Sequence, residues 1–296
     1  MRFAVFAVVA LAVSPAPPPP RSAGLTVTAS SATPRQGGIV AITVRSERPL
    51  PELVLADGDI RSRLERGADG TVFRGLYGLD LAASTGPRRV SFETPDGATP
   101  LAWSFHVASG RFRVQRLSVD PRYVEVPKEE LERVKADQAR VAEAYRRGSA
   151  VRLWTSFARP LEARSNGNFG APRIYNEETR SVHAGLDLAA AEGTPVAAAG
   201  DGRVVLAGDL YFSGGTVLLD HGAGLFTQYF HLSRIDVKEG DAVVKGARLG
   251  ASGHTGRVTG SHLHWGARLL GARVNPEDLL ALPAWPLSRR GRGSLN

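Results

Sequence analysis

Hydrophobic and polar positions alternate along much of the first third of the chain. Val40, Ile42 and Val44 are separated by Ala41 and Thr43, Val90 and Phe92 by Ser91, and Trp103, Phe105 and Val107 continue the pattern. This period of two predicts half-buried strands. Turn signals separate the runs at Pro34, Gly37-Gly38, Asp57-Gly58, Asp69-Gly70 and Asp96-Gly97. The expected unit is a β-sandwich over residues 25–110, immunoglobulin-like in its strand spacing. His106 falls in phase with Ser104 and Ala108, opposite the Trp103/Phe105/Val107 face, and is expected at the surface.

The period then changes. Leu131, Val134, Val141, Ala142 and Tyr145 form one helical stripe, so a helix is predicted over 127–147 within a connector spanning 111–150. Pro127 suits its first turn, Glu129 and Glu130 and the late Arg146-Arg147 suit its dipole, and Gly148 can end it. Glu129/Arg133 and Glu143/Arg147 are placed to pair one turn apart.

Residues 151–285 return to short apolar runs, among them Arg203-Val204-Val205-Leu206 and Thr216-Val217-Leu218-Leu219, punctuated by frequent glycine. That density suits tight turns and close strand packing in a Gly-rich barrel-sandwich domain. The fold class expected is therefore mainly β in two domains joined by a helical connector.

The ends carry different signals. Residues 3–13 are an 11-residue apolar run. That is too short to span a bilayer, which takes about 20 residues, but it fits the core of a signal peptide. A proline-rich spacer follows, the two occupying 1–24. Whether the segment is cleaved or kept as an anchor, the body of the chain is expected to be exported, to the periplasm, cell envelope or extracellular space. No later run approaches membrane-spanning length. Residues 286–296 form a basic tail with Arg289, Arg290 and Arg292.

Composition narrows the chemistry. With no cysteine, disulfides, thiol nucleophiles and cysteine-based metal sites are excluded, and any metal must rest on His, Asp or Glu. Lys plus Arg is 37 against 29 Asp plus Glu, a net charge of +8. This favours anionic surroundings such as acidic lipid or wall polymer. No recognition motif accompanies the charge, so nucleic-acid binding is not expected.

Six of the seven histidines lie between 183 and 264. His183 and Asp187 are four apart, and His262 and His264 are two apart. In extended chain each pair shares a face. Two such pairs on facing strands can hold one ion with coordination positions left open, as catalytic zinc requires.

At this point the sequence resembles the lysostaphin/LytM-type zinc endopeptidases of bacterial peptidoglycan. The resemblance covers about residues 165–280. It runs through Ser165-Asn166-Gly167-Asn168-Phe169-Gly170, Arg173-Ile174-Tyr175-Asn176, His183-Ala184-Gly185-Leu186-Asp187 and Gly193-Thr194-Pro195-Val196. It continues in Asp220-His221-Gly222, Tyr229-Phe230-His231-Leu232, Gly240 to Gly246, Thr255-Gly256-Arg257 and Gly260-Ser261-His262-Leu263-His264-Trp265. It implies one zinc ion on His183, Asp187 and His264, catalytic roles for His231 and His262, and peptide cross-links of peptidoglycan as substrate. Arg173, Tyr175 and Asn176, on a segment bordering the site, and His254, in a Gly-flanked loop, are candidate substrate contacts. His221 is expected to stabilise a turn and Trp265 to pack beneath its strand.

Two other readings compete. A non-catalytic wall-binding or amidase-activating factor can use the same fold, but the complete metal set favours the enzyme. The Gly240-Asp241-x-Val-x-Lys245-Gly246 stretch also suits a lipoyl-type carrier, which leaves the histidines and the export signal unexplained.

Overall fold

A computed structural model describes residues 21–22, 24–95, 101–177 and 179–285. The apolar run 3–13, the proline stretch, the Asp96-Gly97 turn and the basic tail lie outside them.

The alternating first third forms two antiparallel sheets. One orders Arg21–Ser22, Leu25–Ala29, Ile39–Ser46, Val72–Gly78 and Glu65–Arg66. The other orders Ile60–Arg63, Val54–Asp57, Gly86–Glu93 and Leu101–Val107. Their inner faces share a core in which Val40, Ile42 and Val44 meet Phe73, Val90, Phe92, Trp103 and Phe105. Alternation produces this directly, because every second side chain points inward. His106 is exposed, as expected.

The connector holds one α-helix, Leu131–Arg146, entered through a 3-10 turn at Lys128–Glu130. The stripe is rotated from the expected one. Val134 and Ala144 are buried, whereas Leu131 and Ala142 face outward. Arg147 pairs with Glu143 at 3.8 Å, while Arg133 turns to Glu130 and Asp209 instead of Glu129. The Asp209 contact links the helix to the hairpin beneath it, a tertiary pairing that local spacing could not reveal.

Beyond residue 150 the chain builds a nine-stranded antiparallel sheet. Its main path orders Gly185–Ala189, His262–Leu269, Leu225–Ile235, Gly214–Asp220, Gly202–Leu210 and Ala242–Val243. Pro195–Ala197, Arg248–Ser252 and Ala272–Val274 attach to this path. Leu188, Val217, Leu219, Tyr229, Leu263, Trp265 and Leu269 fill the core on one face. The helix covers part of the other, packing Ala144 and Tyr145 on Leu206, Leu210, Leu218 and Phe226. A small third sheet sets Gln115–Leu117 parallel to Pro172–Tyr175, which pairs with Thr179–Val182.

The sandwich is tied to the large sheet. Ile39 belongs to the larger sheet's core, and its N–H donates to Asp278 at 3.0 Å. Arg273 grips Asp80 with two side-chain bonds of 2.6 and 3.0 Å. Arg152, buried against Trp154 and Trp285, pairs with Glu65 at 2.8 Å. No helix among the described residues is long and apolar enough to cross a membrane.

Candidate metal centre

The strand His262–Leu269 sends its residues to two faces in turn. Leu263, Trp265, Ala267 and Leu269 enter the core. His262 and His264 take the opposite face, as their spacing predicts. Gly185–Ala189 pairs with this strand in a register that sets Asp187 directly across from His264. On the other side Phe230 is the partner of His264, and the two rings stack nearly parallel, 5.1 Å apart. His264 is thus fixed between a carboxylate and an aromatic ring.

Gly185 makes room for this arrangement. A Cβ there would press on His264 Nε2 and lie 2.7 Å from the carbonyl of Trp265. No residue with a side chain fits without moving the imidazole.

His183 arrives differently from the expected extended run. It lies in the His183-Ala184 connection between Thr179–Val182 and Gly185–Ala189, not on one strand with Asp187. Its N–H donates to Ala171 at 2.9 Å and its carbonyl accepts from Gly170 at 2.7 Å. These bonds bind it to the loop 165–171 that closes the sheet edge. They aim its Nε2 at Asp187 Oδ1 (2.9 Å) and at His264 Nδ1 (2.8 Å).

His183, Asp187 and His264 are all buried and offer three ligand atoms within 4.8 Å of one another. This group can hold a metal ion. The donor set, two imidazole nitrogens and one carboxylate oxygen, fits zinc in kind and number. Burial opposes ionisation of Asp187, but hydrogen bonds from His183, His262 and His264 hold its carboxyl well below the usual range. It is an anion ready for a cation. Burial lowers the pKa of His264 to about 4 despite the nearby carboxylate, so its ring is neutral at physiological pH, as a ligand must be.

His231 and His262 flank this cluster, with ring centroids 4.9 Å apart. His262 Nε2 lies 3.4 Å from Asp187 Oδ1, and its Nδ1 is 2.8 Å from the carbonyl of Gly260. Burial disfavours the His262 cation, but the Asp187 carboxylate outweighs it and raises the pKa. His231 Nδ1 is 2.8 Å from the carbonyl of Thr255. Burial first, then repulsion from His264 and His262, pushes its pKa well below 6.5.

His231 reaches this face through a bulge. Val217 pairs with Tyr229 and Gly215 with Leu232, so two residues oppose one. His231 is left-handed at φ +65°. Tyr229 and Leu232 both enter the core, and the extra residue lets Phe230 and His231 stay on the opposite side. Strict alternation would have buried His231 with Tyr229. A bulge beside a site commonly re-aims a side chain in this way.

The remaining candidates are spread around the cluster. Arg173 is not turned outward; its guanidinium donates to Asp187 Oδ2 and to Gln115 Oε1. Tyr175 is buried beneath the guanidinium of Arg257. Asn176 exchanges two side-chain hydrogen bonds, 3.0 and 2.9 Å, with the backbone of Val119. His254 is exposed and pairs with Glu192 at 3.0 Å. His221 lies apart, fully buried, bonded to the carbonyl of Asp201 and the hydroxyl of Thr227.

The site also uses residues that sequence reasoning gave no role. Asn168 contacts both His183 and Asp187, and Phe230 stacks on His264. The sequence signals for Asn168 were its membership of the Ser165 to Gly170 run and its place between Gly167 and Gly170, both left-handed here, which lets a tight loop approach the strand.

Residues 181–276 match the model of Peptidase family M23. Over 113 residues the chain is 43% identical to peptidoglycan DD-endopeptidase ShyA of Vibrio cholerae, covering 38% of this chain and 26% of that protein. Over 116 residues it is 40% identical to DD-carboxypeptidase/endopeptidase Mpg of Neisseria meningitidis, covering 39% and 26% respectively. The chain thus spans about a quarter of the length of these curated relatives. A crystal structure of a candidate M23 peptidase from Pseudomonas aeruginosa matches far more. It covers 84% of this chain and 95% of its own, at 30% identity and a TM-score of 0.65. The chain is a mainly β protein of the LytM type and belongs to peptidase family M23.

Proposed function

We propose that this protein is a zinc-dependent endopeptidase that hydrolyses peptide cross-links of bacterial peptidoglycan. The observation that carries the proposal is the buried convergence of His183, Asp187 and His264 on one face of the sheet, with His231 and His262 beside them. The printed activities of the Vibrio and Neisseria relatives support the substrate class. In this reading residues 151–285 form the peptidase domain, 25–110 a separate β-sandwich domain and 111–150 their connector. The polypeptide acts in the cell envelope after export.

His183 Nε2, Asp187 Oδ1 and His264 Nδ1 would hold the ion. The chemistry a bound zinc supplies here is Lewis acidity, which makes water a nucleophile near neutral pH and polarises the scissile carbonyl. The protein's own groups do the rest. His183, His231 and His262 each direct Nδ1 at a backbone carbonyl, of Asn168, Thr255 and Gly260. With an ion in place of the hydrogen bonds to Asp187, these bonds would keep the proton on Nδ1 and leave Nε2 bare and facing the site. At His231 and His262 that bare atom can take a proton and, once protonated, donate to the oxyanion or return the proton to the amide nitrogen as it leaves. The non-catalytic alternative gives no reason to keep two oriented histidines beyond the three ligands.

The test is digestion of purified sacculi by zinc-loaded protein, with released muropeptides read by mass spectrometry. Loss of cross-linked dimers, prevented by chelator, is the expected result. Unchanged muropeptides with zinc fully bound would overturn the enzymatic reading.

A further inference from the structure

The two oxygens of Asp187 face different surroundings. Oδ1 faces His183 Nε2 at 2.9 Å and His264 Nδ1 at 3.2 Å. Oδ2 receives Asn168 Nδ2 at 2.8 Å and the guanidinium of Arg173. Asn168 contacts more than this carboxylate. Its side-chain oxygen accepts from the Asp187 N–H at 3.2 Å, and its backbone carbonyl lies 3.0 Å from His183 Nδ1. One buried residue therefore holds the rotamer of a carboxylate and the tautomer of an imidazole. Arg173 is held in turn, its Nε donating to Gln115 Oε1 at 3.1 Å. Gln115 lies in the connector strand Gln115–Leu117, outside the matched residues 181–276.

We propose that Asn168 and Arg173 are positioning residues of the metal centre, and that Gln115 extends their support from the connector. This rests on the zinc reading above. A carboxylate with two free oxygens can rotate or chelate through both. With Oδ2 occupied by two donors, Oδ1 alone is presented to the ion. Partners of this outer kind typically account for about 10–100-fold in metal affinity. Arg173 serves two acceptors from separate strands, which takes a planar fork; a lysine ammonium is a single point charge on a flexible stem. Arg173 is accordingly a brace for Asp187 and not an anchor for substrate.

The experiment measures zinc affinity of the whole protein by competition with a chromophoric chelator, alongside melting of the metal-free form. Asn168→Ala and Arg173→Lys should each lower affinity about 10–100-fold, with little change in metal-free melting. Arg173→Lys keeps the charge, so its loss reports geometry. Gln115→Ala, which removes only the outer bond, should lower affinity by a smaller factor. It still reads the proposal if Asn168→Ala fails to fold. Once saturated with zinc, Arg173→Lys should retain the wild-type KM. Unchanged zinc affinity in all three variants, or a raised KM in saturated Arg173→Lys, would overturn the proposal. Failure of the wild-type protein to bind zinc would instead defeat the metal reading beneath it.

Discussion

The N-terminal sandwich and the C-terminal sheet are both antiparallel and both well packed, yet they treat polar groups in opposite ways. Among the described residues, every buried polar or charged residue lies between Arg152 and His264. The sandwich buries none. Its strands send apolar side chains inward and polar ones to water, and its single histidine is exposed. In the larger sheet, helix and loops cover the second face, so His183, Asp187, His231 and His264 are removed from water. Burying such groups costs free energy unless each is paired. The C-terminal half bears that cost, and there the chemistry is concentrated.

The largest expected effect comes from removing a proposed ligand. His264→Ala should bring cross-link hydrolysis to background and abolish stoichiometric zinc binding, while the protein still unfolds cooperatively. Retained turnover would erase the functional side of the contrast. Next in size is His231→Ala, which should cost about 10²–10⁴-fold in turnover with zinc still bound. Metal analysis beside kinetics checks this, and loss of zinc would make His231 a ligand.

Acid should weaken the C-terminal half through His221. Burial lowers its pKa to about 4, below the ~6.5 of an unfolded histidine. The unfolded state therefore binds the proton first. The stabilisation is full above pH ~6.5 and is lost as pH falls toward 4, amounting to about 3 kcal/mol. Urea titrations of wild type and His221→Gln should show their stability gap narrowing over that window. A constant gap would remove His221 as the cause. The smallest effect is at the junction of the two halves. Asp80→Ala removes a partly exposed pair with Arg273 and should cost about 1 kcal/mol while leaving zinc affinity intact. A drop in zinc affinity would show that the sandwich supports the site more directly.

Much of this contrast was legible in the residues, for reasons that differ by position. The sandwich strands follow from alternation because nothing interrupts it. His262 and His264 share a face because their strand is regular, and Asp187 comes with them through register. His183 lies beside Asp187 for a reason other than extended spacing, since a connection and the 165–171 loop deliver it. His231 defeats period counting, because its bulge depends on how Gly214–Asp220 pairs with it. The helical stripe was displaced because the helix meets Leu218 and Phe226 with the face centred on Ala144, and only tertiary packing sets which face that is. Arg173 read as a candidate substrate contact, and no local pattern reveals its bond to Gln115 fifty-eight positions earlier. Tertiary pairing decided each of these.

The most direct test of the central claim is to locate the metal. Crystals grown with one equivalent of zinc should give one strong anomalous peak at the zinc edge, bounded by His183 Nε2, Asp187 Oδ1 and His264 Nδ1, with His231 and His262 off the ion. A peak held by His231 and His262 instead, or none at the cluster, would contradict the account.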